Sequence, residues 1–525
     1  MKWNKLLAVS TPGKVLSVVL TVLVILGLLN TCMSLVRLLD SDTLYPAGLY
    51  DNLFLKGYSI SNEAYNDHPG FFPDCLVYWP LLALVPLGPA TALYAFAWFG
   101  SLLVLTYLML RRMGVDFELS LLGTLAAGVV EAIILHQPPV SAPGDRQLLQ
   151  VMYPHSHGTA ILLGLLFILI IRRCGRTRNH LIAASLLFVP TVAAVVSDKI
   201  VIVHTLAPLC LTLLVLSLKL PELEARIWIP FSALCSFLGL KIIHYMPFLG
   251  LGYFDGVYTV SRITPSVDLT VVMDVAGLSV ACPSIGITLG SWILLSSVAL
   301  YKLLRSDVKT ESEKQSSLLF QVFLISVALG AVGAVAVSKF WSGLWTIRYI
   351  FPLFVLAPTG AVLGLVSLTS RRSVFYGLAA LVVAGSVPTF VAEAPNFDLN
   401  DLATPYPQDI QCLDRFAKEH GVTRGYSEYW SARRANLFSR QGISITPVHS
   451  RLVPYPMSSN LESFHGPGEV EFVLTKKLDQ QMLRGFFGAP QLEEKCGGDS
   501  IFLLDPKQGV PTEKGSLLHL SLIHI

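Results

Sequence analysis

The chain has 525 residues, 53% of them hydrophobic and only 14% charged, with a mean hydropathy of +0.60. That combination excludes a soluble globular protein of this length and marks an integral membrane protein. The 38 Lys and Arg against 35 Asp and Glu leave a net charge of +3, too small to point to a nucleic-acid partner.

Apolar windows of roughly 20 residues predict about eleven spans, centred near residues 25, 100, 127, 165, 189, 209, 236, 295, 327, 360 and 383. No small-residue cleavage site separates the first span from the acidic stretch after it, so it reads as a retained anchor and not as a signal peptide. With Lys2, Lys5 and Lys14 inside, alternate loops carry Arg111 and Arg112; Arg172, Arg173, Arg176 and Arg178; Lys219 and Arg226; Lys302, Arg305, Lys309 and Lys314; and Arg371 and Arg372. Every strong basic cluster then falls on one side, as the positive-inside rule requires. The expected architecture is an all-α polytopic membrane domain, residues 1–393, with its N-terminus inside, followed by a small extracytoplasmic α/β domain, residues 394–525.

The first span runs directly into Asp40 and Asp42 in "LVRLLDSDTLYPAGLYDNLF", residues 35–54. They open a long outer loop, residues 40–90, that contains "YNDHPGFFPDCLVYWPLLALVPLG". Pro69, Pro73 and Pro80 limit the backbone of this loop, and its aromatic rings suit the interface, either as anchors or as stacking faces for a sugar. On this topology Asp40, Asp42, His68, Asp74, Asp145, Arg146, His155, His157, Asp198, Lys199, His244, Asp255, Arg262, Lys339, Arg348 and Tyr349 all fall at or beyond the outer ends of spans. A charge at mid-bilayer costs about 2.5–3.5 kcal/mol, and this chain gathers its ionisable groups at one interface instead. A site at the outer membrane–water boundary follows.

Three later stretches feed that boundary. "YPHSHG", residues 153–158, brings His155 and His157 together only if the backbone turns; both then face a metal or a phosphate, or serve as interfacial hydrogen bonders. "VVSDKIVIVH" puts Asp198 and Lys199 at the outer end of a span, either paired with loop residues or with Lys199 on a carrier phosphate and Asp198 orienting it. "KFWSGLWTIRYIFPLFVL", residues 339–356, opens a late span with Arg348 and Tyr349, and the Arg348 guanidinium fork suits two phosphate oxygens or ordinary interface snorkelling.

The first span ending in "DSDTLY", then a His-Pro segment leading into a re-entering apolar stretch, "DHPGFFPDCLVYWPLLAL", resembles the GT-C superfamily of polyprenyl-phosphate-sugar-dependent glycosyltransferases. Protein mannosyltransferases and lipid A aminoarabinose transferases are similar in layout. The resemblance covers residues 15–393. It implies a plasma-membrane or bacterial inner-membrane enzyme of inverting type that moves a sugar from a polyprenyl-phosphate donor to a lipid, glycan or protein acceptor. It also implies that the acidic residue after the first span is a catalytic base or the carboxylate ligand of a divalent cation. Asp42, followed by Tyr45, fits that position best and Asp40 competes for it. Arg348, Lys199 and Arg262 would meet the donor phosphate, with Tyr45, His68, Asp74, His155, His157, Asp198 and Tyr349 around the substrate. A flippase for a lipid-linked sugar and a non-catalytic scaffold are the competing classes; against the flippase stand the one-sided polar residues and the lack of repeat symmetry.

Beyond residue 393, "DIQCLDRFAKEHGV" and "LDQQMLRGFFG" have helical periodicity, and "ISITPV", "VEFVLT" and "SIFLLD" read as strands. Of eight cysteines, Cys412 and Cys496 are the pair in this outer domain and are expected to bond, while Cys75 and Cys282 lie in outer loops. The Arg433, Arg434 and Arg440 of "GYSEYWSARRANLFSRQGI" read first as a solvated helix face and second as a surface for an anionic glycan. No glycine-rich phosphate cradle, nucleophile elbow or paired CxxC occurs, so a nucleotide-sugar or ATP mechanism has no support. The closing "LSLIHI" reads as adaptor-derived sequence and carries no functional expectation.

Overall fold

The computed structural model describes residues 10–505 apart from 38, 40, 67, 137–146, 176, 218–219, 221–223, 255–267, 306–311, 339–343, 394–398 and 450–451. Among the described residues nine helices are long and apolar enough to cross a membrane, and the chain is an integral, multi-pass membrane protein. In chain order the apolar helices are α1 (Thr11–Arg37), α2 (Phe71–Leu84), α3 (Leu87–Arg112), α4 (Phe117–Leu135), α5 (Gly158–Cys174), α6 (Thr177–Ser197) and α7 (Ile202–Leu216). They continue as α8 (Ala225–Leu249), α9 (Thr270–Ala281), α10 (Pro283–Arg305), α11 (Ser312–Ser338), α12 (Thr346–Leu368) and α13 (Arg372–Phe390).

Each expected centre falls on one of these helices, but two of the expected spans are short. Helix α5 has 17 residues, about 26 Å at the α-helical rise, and α7 joins a five-residue π-helical turn to a ten-residue α-helix, about 22 Å, against a hydrocarbon core of about 30 Å. Hydropathy windows see apolar length, and a π turn or a left-handed residue at the helix start shortens it without changing composition.

The helices pack by close approach. Gly360 on α12 lies against Trp292 on α10, where an added Cβ would come within 2.1 Å of the indole nitrogen. Phe320 and Phe323 on α11 and Phe351 and Phe354 on α12 are fully buried between neighbours.

After α13 come α14 (Gln408–His420), α15 (Tyr429–Phe438) and α16 (Gln480–Phe487). They surround a five-stranded sheet of β3 (Arg424–Glu428), β4 (Ser444–Val448), β6 (Phe472–Leu474), β7 (Leu492–Cys496) and β8 (Asp499–Leu503), in the order β4-β3-β6-β8-β7. Strand β3 runs parallel to both β4 and β6, while β8 is antiparallel to β6 and β7 to β8. Gly421, in the left-handed region, ends α14, as helix C-termini favour. Cys412 and Cys496 form the expected disulfide, with Cα atoms 5.5 Å apart, and tie α14 to β7; Cys75 and Cys282 are free and buried.

A second sheet fixes this region over the membrane part. Strand β1 (Glu63–Tyr65) of the long loop after α1, called the outer loop for its expected side, pairs with β2 (Tyr253–Phe254) in parallel and with β5 (Ser459–Asn460) of the C-terminal region in antiparallel register. The outer loop and the C-terminal region thus share backbone hydrogen bonds.

Candidate functional site

The outer loop is docked by a few specific contacts. Gly70 takes φ +66° and its N–H donates to the Ser197 carbonyl (3.1 Å), while the Phe72 N–H donates to Ser197 Oγ (2.6 Å). A Cβ on Gly70 would lie 2.4 Å from the His155 Cβ, so only glycine admits the "YPHSHG" loop at this distance. That loop makes the turn its two histidines require: His155 and His157 both sit in the left-handed region, at φ 69° and 68°. A non-glycine residue held there costs of the order of 1 kcal/mol or more and marks a constrained site.

Asp74 holds the loop from behind. Its carboxylate is buried and accepts from the Tyr94 hydroxyl (2.7 Å) and from the His155 backbone N–H (2.7 Å). His155 stacks on His68 at 5.1 Å between ring centroids and tilts against Tyr45 at 5.4 Å. Burial pushes the His155 imidazole down to about 4, and burial with the neighbouring His157, His155, Arg348 and Lys199 charges pushes His68 well below its ordinary value. Both rings are therefore neutral at physiological pH.

These elements enclose one end of a cavity of about 790 Å³. Asp42, His68, His157, Asp198, Lys199, Arg348 and Tyr349 line it, with His204 of α7 and Asn66 of the outer loop. Arg348 Nη1 donates to Asp42 Oδ2 at 3.3 Å. His157 Nδ1 meets Asp198 Oδ2 at 2.8 Å. Burial works to raise the Asp198 carboxyl, but the His157 ring and the Ile200 N–H outweigh it and hold the group below the usual carboxylate range. One wall is apolar, formed by Val203 of α7 and by Ala331, Ala334 and Val335 of α11.

The roof comes from the C-terminal region. Glu428 ends β3, Val448 ends β4, and Lys477 follows β6. The carboxyl ends of all three parallel strands thus open onto the cavity, the edge of a parallel sheet at which ligands characteristically bind. The Glu428 carboxylate accepts from the Trp430 N–H (2.9 Å) and starts α15, which turns Tyr429 downward. Burial first, and Asp42 second, raise the Tyr429 phenol well above its ordinary value, so it keeps its proton and donates to Asp42 Oδ1 at 2.9 Å. His449, Tyr455 and Met457 complete the roof.

Of the residues singled out from sequence, Asp42, Lys199 and Arg348 meet at this cavity with His68, His157, Asp198 and Tyr349. Tyr45, Asp74 and His155 lie behind the lining and support it, because the docked loop turns their side chains into the protein. Asp40 and Arg262, with Asp145, Arg146, Asp255 and Lys339, lie outside the described residues. Asp198 pairs with His157, and the cover over the cavity is shared between Asn66 and His68 of the outer loop and the C-terminal region.

Arg433 corrects the reading of its helix as a solvated face. It is buried, donates to the Ser41 carbonyl (3.2 Å) and lies 5.1 Å over the Tyr45 ring. Glu428, Tyr429, Trp430, His449 and Lys477 were not expected at the site; the aromatic pair following a short strand in "GYSEYW" was the available signal. The histidine cluster has the residue types for a divalent cation, yet His68, His155 and His157 do not converge their ring nitrogens as ligands do; among the described residues the groups that do converge, Cys412 with Glu494 and Cys496 and Glu419 with His420 and Glu494, are in the C-terminal region. No protein-family model matches the chain, and no curated protein matches its sequence.

Proposed function

We propose that this protein is a GT-C-like membrane glycosyltransferase that moves a sugar from a polyprenyl-phosphate donor to a lipid, glycan or protein acceptor at the outer face. The observation that carries the reading is the composition of one cavity: Asp42, Lys199 and Arg348 at its polar end, an apolar helical wall from α7 and α11, and an aromatic roof. A sugar phosphate on a long lipid needs that combination, with cations for the phosphate, a carboxylate for the acceptor proton, and an apolar exit for the chain. Lys199 and Arg348 hold the phosphate, the Arg fork contacting two oxygens. Asp42 takes the proton from the acceptor hydroxyl or amine as the phosphate leaves. Eleven crossings with the N-terminus inside put this cavity and the C-terminal α/β domain on the outer side, as the basic clusters favour.

Purified protein in lipid nanodiscs, given polyprenyl-phosphate sugars and candidate acceptors, should form glycosylated product detectable by mass spectrometry. Asp42→Asn keeps size and hydrogen bonding but removes the proton acceptor, so it should abolish transfer and leave donor binding intact. Transfer at the wild-type rate by that variant refutes the mechanism. Reporter fusions after residue 400 should be active only outside the cytoplasm; cytoplasmic activity refutes the topology.

A further inference from the structure

We infer that His157, held through Nδ1 by Asp198, donates a proton to the departing phosphate. The inference rests on the transferase reading above and adds the acid to its base. Four observations support it. The His157 ring lines the cavity that holds Lys199 and Arg348. It is wedged among the chain neighbours of both cations, hydrogen-bonded to Asp198 at 2.8 Å and 5.6 Å between centroids from Tyr349. Its backbone lies in the left-handed region at φ 68°, in a loop that packs on Gly70 and donates the His155 N–H to Asp74. Its Nδ1 is committed to Asp198, which leaves Nε2 as the nitrogen able to exchange a proton with a ligand.

The Asp198 carboxylate on Nδ1 fixes the ring's orientation and turns its far nitrogen to the cavity, the arrangement that lets an imidazole act as acid or base on that nitrogen. Asp42 differs, since its oxygens are bound by the Arg348 guanidinium and the Tyr429 hydroxyl. Two titratable groups in one cavity, one beside a cation and the other beside an anion, divide the acid and base roles. The other groups around His157 are His155 in its own loop, His68 from the outer loop, Lys199 after α6, His204 on α7 and Arg348 at the start of α12.

The step balances as follows. The bond between the sugar carbon and the phosphate oxygen breaks, its electron pair goes to that oxygen, and the oxygen takes the proton from His157 Nε2. The acceptor oxygen or nitrogen bonds to the sugar carbon and its proton goes to Asp42. Between turnovers Asp42 releases a proton to solvent and His157 takes one up, so no net proton is consumed. Asp198 acts only through His157 and is a positioning residue.

The test is the pH dependence of kcat, from pH 5 to 9, for the full-length protein in nanodiscs with a polyprenyl-phosphate sugar as donor. His157→Gln should lower kcat about 100-fold, leave the donor KM within about threefold, and remove the alkaline limb of the profile, because no acid remains to be deprotonated. Asp198→Asn should lower kcat about tenfold and move that limb to lower pH. An active wild type whose His157→Gln variant retains the alkaline limb, or loses less than about threefold in kcat, overturns the acid role alone. Should His157→Gln fail to fold, an Asp198→Asn limb at the wild-type pH does the same. A wild type that transfers no sugar from any polyprenyl-phosphate donor overturns the transferase reading and the acid role with it.

Discussion

The seam between the outer loop and the C-terminal region should open as pH rises, and Glu63 sets the pH. Glu63 opens β1, opposite Asn460 of β5, and is fully buried. Burial lifts its carboxyl from 4.5 to about 7, against the opposing effects of Asn460, Arg433 and Asn52. One oxygen accepts from Asn460 Nδ2 at 3.0 Å and from Asn52 Nδ2 at 3.4 Å. The folded seam therefore binds a proton more tightly than the opened one, so the stability is fully present below about pH 4.5 and is lost as pH climbs through about 7. The difference between the two values corresponds to about 3 kcal/mol, or roughly two orders of magnitude in an opening equilibrium. Hydrogen exchange read by mass spectrometry on peptides spanning residues 59–66 and 456–462, corrected for intrinsic exchange rates, should show protection falling by about 100-fold between pH 5 and pH 8. Glu63→Gln keeps the acceptor for Asn460 and Asn52 but cannot ionise, so its protection should stay flat across that range. Equal protection in wild type and variant at pH 8 refutes the reasoning. Because Asn66 and His68 on one side of the seam and Tyr455 and Met457 on the other line the same cavity, donor affinity should weaken over the same pH range in wild type and not in the variant.

Three further outcomes follow from the same contacts. Gly70→Ala places a Cβ 2.4 Å from that of His155 at φ +66°, and should cost about 2 kcal/mol or more in thermal stability together with loss of transfer; wild-type stability would show that the histidine loop is not seated on Gly70. Removing the disulfide by Cys412→Ser with Cys496→Ser frees a loop with a sequence separation of 84 residues, worth about 4–5 kcal/mol in the chain-entropy account, and proteolysis of the C-terminal region should rise sharply under non-reducing conditions. Tyr429→Phe deletes the 2.9 Å hydrogen bond to Asp42, a bond to a charged group worth about 1.5–3 kcal/mol, and should lower kcat about tenfold with donor binding little changed; an unchanged rate would remove Tyr429 from the site.

Much of this organisation is determined locally and so can be read from residues in order. Apolar runs of sufficient length specify the long helices, because backbone groups in lipid are satisfied only within the segment, and the cost of charge in hydrocarbon drives Asp42, Asp198, Lys199 and Arg348 to span ends, where sequence alone already placed them. The periodicity of "DIQCLDRFAKEHGV" and the runs "ISITPV" and "SIFLLD" likewise announce α14, β4 and β8, and two cysteines in one region are enough to expect their pairing. Partnership within the site was decided only by the tertiary structure. Whether Asp198 would meet Lys199, a phosphate or a histidine depends on a loop 41 residues earlier taking two left-handed turns against Gly70. That Tyr429 would reach Asp42 depends on a contact spanning 387 residues. Burial of Arg433 could not be read from its helix, because α15 shows the same sequence whether its polar face meets water or the outer loop. Side-chain pattern sets what each segment can tolerate, while register across distant segments, here the β1–β5 pairing and the docking of the sheet's carboxyl edge, sets which groups share a cavity.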